Sequence, residues 1–348
     1  MKLAKTKRAD LIRRFLLNAI KAGNAGFFHD AMETFELSRQ AIHGHLAALV
    51  ALGCLAATGN TRGRSYILGS VRSHFGMFPL AGLSESDVYY RDFGFMFKDL
   101  PQEIEHICHY GFTEMLNNAI DHSGGQQVSV SVERTMVNII ITIADDGEGI
   151  FKHIARIMGL NDTRESILEL SKGKLTTDPD NHSGQGIFFS SRTFDEFFIA
   201  SGNLFFSHTD GENEDWLLHG EKDRAGTLVD MRIALDSSRT LRSVFDAFTG
   251  SEDEDFVFNK TVVPIKLALN EGERLVSRSQ AKRILNRVDK FKTVLLDFSK
   301  VDSIGQAFAD EVFRVFVRQH PEIDLLPIHL NEDIRRMILA AQSGSSKP

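Results

Sequence analysis

The chain has 348 residues, of which 42% are hydrophobic and 25% charged, and a formal net charge of -7. That length can carry two or three separate cores, and the ordinary composition excludes a disordered or fibrous chain. No apolar run approaches the roughly 20 residues of a membrane span. The basic start Met1 to Arg8 leads into an amphipathic stretch rather than a signal-peptide core, so a cytoplasmic protein with no membrane partner is expected. Two cysteines, Cys54 and Cys108, support neither a disulfide framework nor a zinc cluster and read as small buried thiols. The charge is unevenly spread: residues 1–75 carry eleven Lys/Arg against four acids, a balance of +7, which leaves -14 for the remainder. A basic end on an acidic body points to an anionic polymer meeting one end only.

Leu11, Ile12, Phe15, Leu16 and Ile20 recur at helical spacing, which predicts a first helix ending near Gly23. A second helix is expected from Phe28 to Phe35. Ser38 is placed to cap a third, whose Ile42, Leu46 and Leu49 form one apolar face. Leu55 to Thr58 and Ser65 to Leu68, joined through Gly59 and Gly63, read as a two-stranded hairpin. This order resembles the winged helix-turn-helix of small bacterial transcriptional regulators, over residues 1–72. The resemblance implies DNA as partner, with Ser38, Arg39, Gln40 and His43 on a recognition helix in the major groove and Arg62 and Arg64 on the wing. A winged helix that docks on protein is the alternative.

Residues 73–94 read as a connector. From 103 to 121, Ile104, Ile107, Phe112, Met115, Leu116 and Ala119 mark one buried side of a helix, on which Glu114 and Asn118 lie one turn apart. A hairpin, Val128 to Val132 and Val137 to Ile143, runs into Asp145-Asp146-Gly147-Glu148-Gly149-Ile150. Further along stand Ser183-Gly184-Gln185-Gly186, then Gly226-Thr227 before a closing strand. The ordered set Glu-x-x-x-Asn-Ala-x-x-His, Asp-x-Gly-x-Gly, Gly-x-Gly and Gly-Thr resembles the boxes of the GHKL superfamily of ATPases and kinases. The resemblance implies a Bergerat-type α/β sandwich over 95–248 that binds ATP with Mg2+.

In that family the Asn position coordinates magnesium, here Asn118, and the Glu position orients or activates a water, here Glu114 as catalytic base. Asp145 would accept from the adenine amine, with Gly147, Gly149, Ile150 and Thr227 shaping the base pocket. Ser183, Gly184, Gln185 and Gly186 would hold phosphates at a helix start. Asp121 and Lys174 are further expected contacts, Lys174 and Lys172 being candidates to reach a phosphate from the lid between Phe151 and Ser183. The second glycine box is short of glycines, which implies a weaker or rearranged phosphate contact.

The acidic run Ser251 to Asp255 marks a linker, 249–259. Beyond it, strands Val262 to Ile265 and Thr293 to Phe298 flank a helix from Ser279 to Val288, and a second helix runs from Phe308 to Val317. This resembles a STAS-like α/β domain over 260–345, related to the anti-anti-sigma fold, and implies a protein partner. In the family register the phosphoacceptor serine is replaced by Gln306, and no phosphate is expected on Ser303. The whole reads as an α/β multidomain regulator that couples an ATP-driven lid to DNA binding, with paired half-sites as the expectation for a dimer. The alternatives are a serine kinase of the anti-sigma type, or an ATPase of a defence or assembly system.

Overall fold

A computed structural model of the chain describes residues 2–59, 64–69, 72–175, 184–209, 214–249, 258–269 and 273–343. The N-terminal module comprises α1 (Lys2–Lys21), α2 (Phe27–Phe35) and α3 (Arg39–Ala51), then an antiparallel pair β1 (Leu55–Thr58) and β2 (Ser65–Leu68). Its core is drawn from the apolar stripes of these helices, with Leu16, Ile42 and Leu46 fully buried. Ser38 starts α3 as expected: its hydroxyl accepts from the Ala41 amide at 3.3 Å, satisfying one of the donors a helix start leaves over.

The middle of the chain forms a five-stranded antiparallel sheet in the order β3-β4-β5-β7-β6. Its strands are β3 (Arg72–Pro79), β4 (Gln127–Arg134), β5 (Asn138–Asp145), β6 (Glu196–Thr209) and β7 (Glu214–Ala234). In β4, Val128, Val130 and Val132 are buried while Ser129 and Ser131 between them are half-buried, the alternation of a sheet with one covered face. After the short helices α4 (Glu85–Asp87) and α5 (Gly94–Phe97) comes the long α6 (Gln102–His122). It covers that face together with α7 (Ile150–Met158) and α9 (Gly186–Thr193). Between the last two lies α8 (Glu165–Lys172), and α10 (Leu241–Phe248) closes the unit.

The C-terminal unit is a three-stranded parallel sheet, β10-β9-β8, of β8 (Lys260–Pro264), β9 (Thr293–Asp297) and β10 (Asp324–Ile328). Helices α11 (Arg278–Leu285), α12 (Gln306–Asp310), α13 (Val317–Gln319) and α14 (Glu332–Ser343) complete it.

Three expectations change. The supposed connector 73–94 begins with β3, the edge strand of the central sheet, so that unit starts at residue 72 rather than 95. The closing strand expected after Gly226-Thr227 is the end of a longer one, β7, paired with a second long strand, β6, with register shifts around Gly202. The C-terminal unit has a third strand, β10, and a last helix, α14, that the sequence reading lacks. Most of the acidic run, 250–257, lies outside the described residues. Both cysteines are buried free thiols, and burial raises the pKa of each.

Candidate functional site

Helix α6 turns Ile104, Ile107, Phe112 and Leu116 into the core. That phase leaves Glu114, Asn118 and His122, successive turns apart, along the wall of a cavity of about 250 Å³. The sheet supplies its floor through Ile143, Asp145, Thr227 and Val229. Asp145 ends β5, and its Oδ1 accepts from the amides of Gly147 at 2.9 Å and Thr227 at 3.2 Å. Burial raises the Asp145 carboxyl pKa above the usual range, against the lowering effect of those two bonds. Both fall on one oxygen, so the second keeps acceptor capacity.

Two glycines in this corner are fixed by contact. A Cβ on Gly147 would lie 2.0 Å from the Ser123 carbonyl oxygen. One on Gly226, at φ 71°, would lie 1.9 Å from that of Asp145. The Thr227 hydroxyl accepts from the Ile150 amide at 2.9 Å, so it caps α7 while lining the cavity. The neighbouring Asp146 carboxylate accepts from the Gln126 and Gln127 amides at 2.7 and 2.9 Å. These bonds lower its pKa and tie the loop to β4.

At the other end Gly184, at φ 65°, and Gly186 line the cavity where α9 begins. The first amides of a helix have no intrahelical acceptor. The Glu114 carboxylate comes so close to Gly186 that a Cβ there would meet Glu114 Oε2 at 2.1 Å.

Of the residues expected from the sequence, Glu114, Asn118, Asp145, Ile150, Gly184, Gly186 and Thr227 line this one cavity. Gly147 and Gly149 shape the loop behind it, Gly149 at φ 89° against the Ser201 hydroxyl, and Gln185 precedes α9 without capping it through its side chain. Ser183 and Arg62 lie outside the described residues.

Asp121 is corrected. It is exposed and outside the cavity, because at 100° per residue position 122 returns closer to the Asn118 face than position 121 does. Lys174 is corrected as well. Its Nζ donates to the Lys290 carbonyl at 2.7 Å and stands over the Phe291 ring at 4.7 Å, while its neighbour Leu175 lines the cavity. Lys172 is buried with its Nζ 2.7 Å from Glu169 Oε1 and 2.8 Å from the Asn286 carbonyl oxygen. Neither lysine lines the cavity. His122, Ser123 and His153 also line the cavity without having been assigned a role. The final His of the first motif was the one available signal.

The segment expected as a lid is therefore anchored on one side. Every residue of α8 from Ser166 to Lys172 is buried. Glu169 Oε2 pairs with Arg287 at 3.1 Å, and Glu165 with Arg283 at 3.4 Å. The Thr261 hydroxyl donates to the Lys172 carbonyl at 2.7 Å. Leu170 of the same helix lines the cavity.

Ser38, Arg39, Gln40 and His43 are exposed together on α3. Arg39 sits over the Phe28 ring at 5.6 Å, and Arg64 over that of Tyr66 at 5.5 Å. Among the described residues no group of three or more His, Cys, Asp or Glu could hold a metal, and no helix is long and apolar enough to cross a membrane.

Comparison with curated proteins finds no match. Residues 105–196 match the family described as histidine kinase-, DNA gyrase B-, and HSP90-like ATPase. Residues 280–335 match a STAS-like domain of unknown function (DUF4325). The cavity lies largely within the first match, which supports ATP binding there, and the bonds of α8 reach the second. The chain thus carries a GHKL-type ATPase domain followed by a STAS-like domain.

Proposed function

We propose that this protein is an ATP- and magnesium-dependent regulator in which nucleotide binding alters contact with DNA. The observation that carries the reading is the convergence of Glu114, Asn118, Asp145, Gly186 and Thr227, from four separate stretches of chain, on one cavity. Adenine sits at the Asp145 and Thr227 end, and phosphates at the Gly184 to Gly186 end, where free helix-start amides favour an anion. Asn118 suits magnesium: its Nδ2 lies 3.9 Å from Met115 Sδ, which leaves the amide oxygen for an ion that takes few protein ligands beside phosphate and water. Glu114, one turn away, is the group to orient a water for slow hydrolysis.

The three helices and hairpin at the N-terminus support the winged helix-turn-helix reading, with the exposed row on α3 as the DNA-reading surface. Arg64 belongs to the wing. Coupling has a physical basis on both sides of the cavity. The STAS-like domain grips α8. The N-terminal module meets the end of β7, where Arg14 pairs with Asp236, nine residues beyond Thr227. A ligand drives such a switch only through contacts that differ between states. The loop at Gly184 to Gly186, at the phosphate end of the cavity, is where such contacts would form.

The test is DNA affinity, measured by fluorescence anisotropy with and without Mg-ATP. Affinity is expected to shift with nucleotide and to be lost in Arg39→Ala. Equal affinity in both states would sink the coupling.

A further inference from the structure

His153 stands in the first full turn of α7, its amide donating to the Gly149 carbonyl at 3.0 Å. Its Nδ1 lies 2.5 Å from Glu148 Oε1, and Arg156 NH2 lies 2.5 Å from the same oxygen. Bonds from Arg156 and His153 hold the Glu148 carboxyl down at about 2, so at neutral pH it is an acceptor only. The contact with a carboxylate therefore places a proton on His153 Nδ1, and Nε2 is the ring atom left for a further bond. That atom is shielded from solvent and has no hydrogen-bond partner, although the ring lines the cavity. Buried polar atoms are nearly always bonded, so an orphan nitrogen clamped in the wall of a ligand cavity is poised for a ligand.

Its position along the cavity says which part of the ligand. His153 is one turn along α7 from Gly149 and Ile150, at the Asp145 and Thr227 end. Across from it His122, one turn along α6 from Asn118, faces it at 6.1 Å between ring centroids. The two imidazoles thus flank the stretch between the base end and the metal and phosphate end. In a nucleoside triphosphate that stretch is the sugar.

We propose that His153 Nε2 binds a ribose hydroxyl of the nucleotide, and that this contact makes the site selective for ribonucleotides over their deoxy counterparts. A ribose hydroxyl both donates and accepts, so it fits Nε2 whether or not that nitrogen carries a proton. The inference rests on the nucleotide reading of the cavity.

The experiment is calorimetric titration of the full chain with ATP, 2′-deoxy-ATP and 3′-deoxy-ATP, repeated in His153→Phe, which keeps a ring and removes the acceptor. In the wild type one deoxy analogue is expected to bind about tenfold more weakly than ATP, the upper range of one hydrogen bond. In His153→Phe, ATP is expected to fall to the level of that analogue, and the difference between them to vanish. A deoxy penalty that survives in His153→Phe overturns the assignment. Equal wild-type binding of all three overturns it and leaves the nucleotide reading intact, a result that stands even if the variant does not fold. A wild type that binds none of them removes both.

Discussion

Asp145 carries opposing demands. In the proposed role it accepts from a base amine, most strongly when ionised, yet its burial favours the neutral acid and raises its pKa. ATP affinity is therefore expected to fall as pH drops through that raised value, above the range where an ordinary Asp protonates. The stability of the ligand-free protein moves the other way. A carboxyl whose pKa is higher folded than unfolded binds more protons in the native state, so its contribution is greatest below the window and declines as pH rises through it. Titrations and melts over the same pH series check both signs. Asp145→Asn should flatten both and weaken ATP by about ten- to a hundredfold, the worth of a hydrogen bond to a charged group. The place of Asp145 at a strand end, before two glycines, was legible in the sequence. That of His153 was not, because its meaning depends on Glu148 and Arg156 clamping one nitrogen while the other, in a ring that lines the cavity, is left without a partner.

Helix α8 is the element whose character changed most between sequence and fold. Its short span has no polar face left to solvent, since it is buried between the ATPase core and the STAS-like domain. Its sequence nevertheless carries the amphipathic stripe of a surface helix, Ile167, Leu168 and Leu170 against Glu165, Glu169 and Lys172, so the charged side reads as solvated although Lys172 and Glu169 are 1% and 2% exposed. Burial lowers the Lys172 pKa, partly offset by Glu169. Removing one member of such a group strands its partners. Glu169→Ala leaves Lys172 and Arg287 facing each other and is expected to cost about 3–5 kcal/mol in denaturant unfolding. Lys172→Met leaves Glu169 still bonded to Arg287 and Asn286, so its loss should be clearly smaller. Equal, near-zero losses would mean that the network does not hold the helix in place.

Across the whole chain, the N-terminal module is joined to the ATPase sheet by little but well-placed contact. Val137, in the turn between β4 and β5, is 7% exposed and belongs to the core of that module. The Arg14–Asp236 pair beside it is exposed on both sides and by itself contributes little. Val137→Ala removes two buried methyls, worth about 2 kcal/mol, from the joint and from neither binding surface. It is expected to leave ATP and DNA affinities near wild type when each is measured alone, and to shrink the effect of one on the other. An undiminished ATP effect would place the coupling elsewhere.

The sequence by itself determined the elements and their boxes: the capped α3, the hairpin β1–β2, the helix bearing Glu114 and Asn118, and the glycines that backbone contact demands at 147 and 226. These depend on periodicity, capping and close backbone approach, which are local properties of a chain. Only the tertiary structure decided where β3 belongs. Its outward Phe75 and Met77 are 60% and 61% exposed, so apolar residues point to both faces and the alternation that marks a half-buried strand is lost. It also decided that Lys172 and Lys174 serve the domain joint rather than a phosphate, and that His122 and His153 meet across the cavity. Each of those depends on which distant surface a side chain finds, and the spacing of residues along a chain does not specify that.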